Sequence, residues 1–224
     1  ELLDRVNSTG ESDIEHALTA HNVSFNDFLS LISPLAQKYI PQMREAASRI
    51  RKSHFGKVVR LYAPIYFSNY CVNNCVYCGF RHSNKFDRRR LTIDEILAEA
   101  HVLKSWGMDS VLLIAGEDPK TVTPEFLSQV VPEIKKLFSY ISVELHPQTE
   151  ADYRKLFELG VHGLTLYQET YDRELYAKLH PSGPKRNYDG RVSAPEAAAR
   201  AGFYNIGIGA LLGLYNWRSE AVSM

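Results

Sequence analysis

Cys71, Cys75 and Cys78 are the only cysteines in 224 residues, and they fall within eight residues of one another, in the string SNYCVNNCVYCGF over 68–80. Their spacing is C-x3-C-x2-C. Such a set cannot be paired off in disulfides. Cys75 and Cys78 are spaced for a redox pair, which leaves Cys71 over. The N-terminal string ELLDRVNSTGESDIEH is too polar for a secretory signal. Clustered thiols without an export signal point to a reducing cytoplasm and to metal. Three soft thiolates suit an iron–sulfur cluster. A four-iron cluster held by three cysteines leaves one iron without a protein ligand, open to a small molecule. A zinc site needs a fourth ligand, and His82, four residues past Cys78, is available for it. A third reading is three buried cysteines that hold nothing.

The elements that must position these thiols follow one recurring pattern. From residue 92 onward a helix-start signal precedes an amphipathic run, then a glycine, then an apolar β-type run. Thr92 with Glu95 reads as a capping box. Ile93, Ile96, Leu97, Ala100 and Leu103 share a helical face, and Gly107 supplies the left-handed stop. SVLLIAG (110–116) follows as a buried strand. Thr123-Pro124 opens the next helix, which Pro132 is expected to kink or split. The strand YISVELHP (140–147) comes next. Thr149 and Gly160 bound a third helix before the strand GLTLYQET (163–170). Ser193 with Glu196 reads as a further capping box, opening EAAARA, with Gly202 as its stop and YNIGIGALLGL (204–214) as the fifth strand. VVRLYAPIYFSNYC (58–71) supplies the first strand. Its aromatic residues are expected in the core, as aromatic side chains on a strand favour packing.

Five near-continuous apolar strands separated by helices imply a parallel sheet covered on both faces. No glycine-rich phosphate loop follows the first strand, so a β/α barrel is preferred to a dinucleotide-binding sheet. A barrel needs more strands than five, so the chain is expected to continue past Met224. Residues 1–57 read as an N-terminal helical segment packed outside the barrel, with Ser24 and Ser33 as caps and Gly56 as terminator. The first 20 residues are expected to be poorly ordered. Residues 58–224 form the partial barrel. The cysteines then sit just past the first strand, at the C-terminal end where β/α barrels carry their chemistry. The formal net charge is zero, which gives no electrostatic case for nucleic acid or an anionic membrane. No run of about 18 apolar residues suits a transmembrane helix.

The cysteine string has an aromatic, Tyr77, immediately before Cys78. In this it resembles the radical S-adenosylmethionine (SAM) superfamily, whose hallmark is C-x3-C-x-aromatic-C. The strings NYCVNNCVYCGF, AGED, YQETYDRELYAKLHPSGPKRNYDGR and IGIGALLGLYNWR extend the resemblance over residues 55–218. Together they are similar to the tyrosine lyases of that superfamily, and most of all to the 2-iminoacetate synthases of thiamine biosynthesis. The alternative within the family is the maturase that makes carbon monoxide and cyanide for the FeFe-hydrogenase. From another class, the alternative is a zinc-stabilised binding module without catalysis.

The resemblance implies an α/β fold, a (β/α)6 TIM-like barrel truncated here after five strands. It implies a 4Fe-4S cluster on Cys71, Cys75 and Cys78, and S-adenosyl-L-methionine as the second cofactor. L-tyrosine would be cleaved between Cα and Cβ to 2-iminoacetate and 4-cresol. Implied partners are an electron donor such as flavodoxin or ferredoxin and a thiazole synthase. Ala115-Gly116-Glu117 matches the family's GGE-like motif, whose backbone binds the SAM amino group; alanine replaces its first glycine. Arg191 would pair with the SAM carboxylate, for which a guanidinium fork is suited. Glu144 is an acid in an apolar strand and needs a partner. A ribose hydroxyl pair would serve, or a salt bridge to Arg173 or Arg191. Gln168 and Glu169 would contact the cofactor or fix their loop. Tyr77 and Phe80 would shield the cluster. His146 and His180 read as packing residues. The basic run KFDRRR (85–90) reads as a solvated loop or a docking patch for the electron donor. The tyrosine-binding residues are expected beyond the chain's end, and no catalytic side chain is assigned within it.

Overall fold

Five parallel strands lie side by side in sequence order: β1 (Tyr62–Ser68), β2 (Ser110–Ala115), β3 (Tyr140–Glu144), β4 (Gly163–Thr165) and β5 (Asn205–Gly207). An order that never reverses, with a helix in every crossover, is that of a barrel wall; a doubly wound sheet reverses at a switch point. The sheet is unclosed, and β1 and β5 are its edges. The structure, a computed structural model, describes residues 1–224. It divides into two compact units, Arg60–Leu214 and Glu1–Val59 with Tyr215–Met224.

In the larger unit each helix starts where a side chain can satisfy its first free N–H groups. Thr92 caps α5 (Ile93–Ser105) with the reciprocal Glu95 bond, Thr123 caps α6 (Pro124–Lys135), and Thr149 caps α7 (Glu150–Leu159). Asp172 caps α8 (Arg173–Leu179) and Asn187 caps α9 (Tyr188–Ala201). Apolar faces of these helices close over the strands in one core, with Ile96, Leu113, Val131, Ile141 and Leu164 among its buried residues.

Four expectations are corrected here. Pro132 does not split α6, which runs unbroken from Pro124 to Lys135. The capping box at Ser193 does not form. Its hydroxyl donates back to the Asp189 carbonyl at 2.8 Å, and α9 begins at Asn187, whose Oδ1 accepts from the Gly190 N–H. Pro195 therefore sits inside the helix. Strands β4 and β5 are three residues each, shorter than their apolar runs. Pairing continues past them irregularly, through Leu166 N–H to Gly207 O and Gln168 N–H to Gly209 O. The aromatics of the 58–71 string are mostly not core: Phe67 is buried, but Tyr62 and Tyr66 of β1 and Tyr70 just past it are exposed. Strand alternation sends Ile65 and Phe67 to the helix-covered face and Tyr62 and Tyr66 to the concave face.

The smaller unit is helical: α1 (Leu2–Asn7), α2 (Glu11–Thr19), α3 (Phe25–Leu31), a 3-10 turn (Leu35–Tyr39), α4 (Ile40–Phe55) and α10 (Trp217–Ser223). Ser24 caps α3, Ser33 Oγ accepts from the Ala36 N–H, and Gly56 ends α4. The first 20 residues, expected to lack order, form two helices whose Val6, Ile14 and Ala17 are buried. The α10 helix, which sequence reading places with the barrel, belongs to this unit, where Arg218 Nε donates to Ile32 O at 2.7 Å. No helix is long and apolar enough to cross a membrane.

Candidate cofactor site

The loop that follows β1 carries all three cysteines, and three neighbours hold it. Arg88 reaches back from the end of the loop. Its Nη1 donates to the carbonyls of Asn69 (2.6 Å) and Phe80 (2.8 Å), and its Nη2 to that of Arg81 (2.8 Å). KFDRRR is thus more than a solvated run, because one of its arginines pins the loop from within. The end of β2 supplies the second neighbour. Gly116 N–H donates to Ser68 O, and Val72 N–H donates to Glu117 O. A Cβ on Gly116 would lie 2.3 Å from the Tyr70 carbonyl oxygen, so only glycine admits the loop here.

The third neighbour is a strap over residues 179–185. Val76 N–H donates to Leu179 O and Asn74 N–H to Ser182 O, while Lys185 N–H donates to Asn73 Oδ1 at 2.8 Å. Gly183 has φ +93°, and a Cβ there would lie 2.4 Å from Asn73 Oδ1. Tyr77, between the second and third cysteines, donates its hydroxyl to His180 Nε2 at 2.7 Å. The other ring nitrogen, Nδ1, donates to Tyr176 O at 2.8 Å, which fixes this tautomer. His180, read as a packing residue, is fully buried and also orients Tyr77.

The three thiols line one cavity of about 190 Å³ at the C-terminal ends of the strands. Ala115, Gly116 and Glu117 line it from the end of β2, Glu144 from β3, and Tyr167 and Glu169 from the segment after β4. Lys185 and Arg191 close it. Two buried ion pairs stand in its wall. Arg191 Nη1 lies 2.7 Å from Glu117 Oε1, and Lys185 Nζ 2.8 Å from Glu169 Oε1. Arg191 Nε donates to Tyr167 O, and Asn73 Nδ2 donates to Glu117 Oε2 at 3.0 Å. Burial opposes the charge on Glu117, but Arg191 and Lys185 outweigh it and hold the carboxyl below its usual range. Glu144 makes no ion pair, and Lys185 and Arg191 act on it only at longer range. Burial, reinforced by Glu169, pushes its carboxyl up. Arg173 pairs with Asp189, so neither proposed salt bridge to Glu144 forms.

Burial pushes the Cys75 thiol up to about 11. Metal binding at this site therefore releases a proton from Cys75. All three thiols are free. No three His, Cys, Asp or Glu side chains converge on a single ion. His82 is exposed and does not line the cavity, so a Cys3His zinc tetrad is not formed. Thiols that face one cavity without sharing one point fit a cluster, whose irons present separate corners.

Gln168 is not brought to the cavity. Successive side chains alternate, so Tyr167 and Glu169 face it and Gln168 turns into the interior, its Nε2 3.4 Å from Tyr188 O and its Oε1 without a partner. Glu169 itself adopts φ +74°, an uncommon conformation for a non-glycine residue. Asn73, Lys185, Tyr167 and Arg88 were missed in sequence. Asn73, Tyr167 and Lys185 had a signal: all three lie in the strings that carry the family resemblance.

The chain matches the Radical SAM superfamily over residues 65–222. It is 36% identical over 218 residues to the 2-iminoacetate synthase of Escherichia coli (strain K12), covering 97% of this chain and 58% of that one. It is 35% identical over 217 residues to the 3-methylornithine synthase of Methanosarcina barkeri (strain Fusaro), covering 96% of this chain and 59% of that one. Among solved structures it superposes on HydG, a maturase of the FeFe-hydrogenase, with a TM-score of 0.92 at 32% identity, covering 100% of this chain and 51% of that one. The chain thus spans little more than half the length of these relatives. Its cysteine loop, its parallel barrel wall and the span of the match place it in the radical SAM superfamily.

Proposed function

We propose that this protein is a carbon–carbon lyase that cleaves L-tyrosine to 2-iminoacetate and 4-cresol for assembly of the thiamine thiazole, in the cytoplasm. Members of the superfamily use a 4Fe-4S cluster and S-adenosylmethionine. When bound, that pair supplies a carbon-centred radical that abstracts hydrogen. The observation that carries the reading is the single cavity into which three free thiols and two buried ion pairs face.

The chain's own residues have distinct tasks there. Cys71, Cys75 and Cys78 hold the cluster. The backbone of 115–117 accepts the SAM amino group, and Arg191 offers its guanidinium to the carboxylate. Glu144, which makes no ion pair, accepts from the ribose hydroxyls. Glu169 shares the wall with Lys185. Tyr77 and Phe80 exclude water. A donor such as flavodoxin or ferredoxin supplies the electron, and a thiazole synthase takes the product.

The likeness to HydG favours a second reading, tyrosine cleavage in FeFe-hydrogenase maturation. One experiment tests both. The full-length natural protein, of which residues 1–224 form at least a part, is reconstituted anaerobically with iron and sulfide, then given SAM, reductant and tyrosine; residues 1–224 alone are not expected to turn over tyrosine. The expected outcome is tyrosine-dependent 4-cresol with glyoxylate from hydrolysis of the imine, and none from a Cys75→Ala protein. Cyanide would favour the second reading, and SAM cleavage without 4-cresol would overturn both.

A further inference from the structure

His180 is wholly buried in the strap and stays out of the cysteine cavity, while Tyr77 lines it. Nδ1 of His180 gives its proton to Tyr176 O, so Nε2 is an acceptor and takes the Tyr77 hydroxyl at 2.7 Å. The Tyr176 ring backs the imidazole with centroids 4.0 Å apart, and the Tyr77 ring meets it edge-on at 5.6 Å. The imidazole is thus held at both nitrogens and on one face. Cys75 is two residues before Tyr77, and its thiol acts on the same hydroxyl by charge and by hydrogen bonding. A phenol has one proton. Given to His180, it is withheld from the Cys75 sulfur. In the metal-free chain the bonds run in one direction: the Cys75 S–H points to the Tyr77 oxygen, the Tyr77 O–H to His180 and the His180 N–H to Tyr176 O. A cluster takes the thiol proton away, and the bare sulfur would then draw the Tyr77 proton if His180 did not hold it.

Hydrogen bonds donated to the ligand sulfurs help to set a cluster's reduction potential. A donor there favours the reduced cluster, which carries one more negative charge, and so raises the potential. One-electron reduction of a sulfonium calls for the opposite, a strongly reducing cluster. We propose that His180 is a positioning residue that keeps the cluster strongly reducing, by holding the Tyr77 proton off the Cys75 sulfur. The proposal rests on the reading of the cysteine cavity as a cluster site. No atom is transferred; His180 decides only which acceptor the Tyr77 proton faces. A bond that did no more than satisfy a buried phenol would make His180 a packing residue. Its loss would then loosen the loop whether or not residue 77 carries a hydroxyl, and that dependence separates the two roles.

The test loads the full-length natural protein with its cluster anaerobically and titrates the midpoint potential, without SAM, by the EPR signal of the reduced form. His180→Phe and His180→Met both remove the acceptor while filling the ring's space. Each is expected to favour reduction about tenfold, a rise of about 59 mV for one electron. Tyr77→Phe alone should change that equilibrium by less than about twofold, because its proton was already off the sulfur. In His180→Phe/Tyr77→Phe the rise should vanish, since no hydroxyl is left to turn to Cys75. An unshifted potential in both single His180 variants overturns the proposal. So does a rise that persists in the double variant, the mark of a loosened loop. Failure of both His180 variants to take up iron, where the unaltered protein does, also overturns it, because His180 is then needed to build the loop and not to tune it. Absence of iron uptake by the unaltered protein is a different failure: it overturns the cluster reading, and the proposal falls with it.

Discussion

Glu117 accepts Arg191 on one carboxylate oxygen and Asn73 on the other, and its main-chain carbonyl takes the Val72 N–H. One side chain therefore ties α9 to the cysteine loop. A buried ion pair adds little net stability, but removing one partner strands the other, at a cost of about 3–5 kcal/mol. Arg191→Met is expected to destabilise the protein by that amount in urea unfolding. Arg191→Lys keeps the charge and loses the Nε bond to Tyr167 O. It should weaken SAM binding by about 1.5–3 kcal/mol with iron content unchanged. Unaltered SAM affinity would remove Arg191 from the ligand site. His180 carries a second prediction at this scale. Burial, only partly opposed by the bond to Tyr176 O, lowers its pKa to about 4. Its unfolded value is near 6.5. The unfolded chain thus binds the extra proton between those values, and stability falls as pH drops through 6.5 toward 4. The metal-free protein should lose about 1 kcal/mol between about pH 7.5 and about pH 5.5 from this group. His180→Gln should flatten that part of the profile, and an equally steep profile would assign the loss to other groups.

The strap over 179–185 acts as an element although it has little regular structure. It reaches the cysteine loop through three backbone N–H bonds and the tight passage of Gly183 past Asn73. Gly183→Ala must place a Cβ at φ +93° and against Asn73. The expected result is a folded protein that gives up its iron to a chelator about tenfold faster, the equivalent of about 1.4 kcal/mol of lost restraint. An unchanged release rate would show that the strap does not support the loop. The strap was invisible in the residue pattern, because its bonds to residues 73–76 are long-range and leave no periodicity. The regular elements were legible where local signals agreed. Thr92, Thr123 and Thr149 each had a cap geometry that only one start satisfied. At α9 two starts competed. Asn187 won because Arg191, one turn in, is anchored at Tyr167 O and Glu117, and tertiary anchoring outweighs the local cost of Pro195. The thiols were legible from spacing alone. Asn73 and Lys185 were not, since a buried amide or lysine looks like any surface residue until its partners are known.

At the scale of the whole molecule, the site belongs to one of two compact units. The cysteines, the ion pairs and the strap all lie within Arg60–Leu214. That unit has a continuous core from Ile65 to Phe203, and the cysteine loop leaves directly from β1. The concave face was misread because apolar and aromatic runs do not say which side of a strand a helix will cover. Tyr62 and Tyr66 point to the uncovered side of an unclosed sheet. Burying a strand's helix-facing half is enough to form it, so the other half is free to line a cavity. This arrangement links occupancy of the cavity to stability of the sheet. A ligand that binds only the folded unit stabilises it by RT ln(1 + [L]/Kd), about 4 kcal/mol at a thousandfold excess over Kd. The bonds that would carry this run from Ser68 to Gly116, from Val72 to Glu117 and from Asn73 to Lys185, so they cross from β1 to β2 and on to the strap. Anaerobic reconstitution followed by SAM addition is therefore expected to slow amide exchange together in three places: the loop at 69–88, the ends of β1 and β2, and the strap. Slowing at Val72, Val76 and Lys185 should match that at Gly116, because each donates within the same network. Protection confined to the cysteine loop, with Gly116 and Lys185 exchanging as before, would show that the loop binds its ligand alone and that the barrel wall merely carries it.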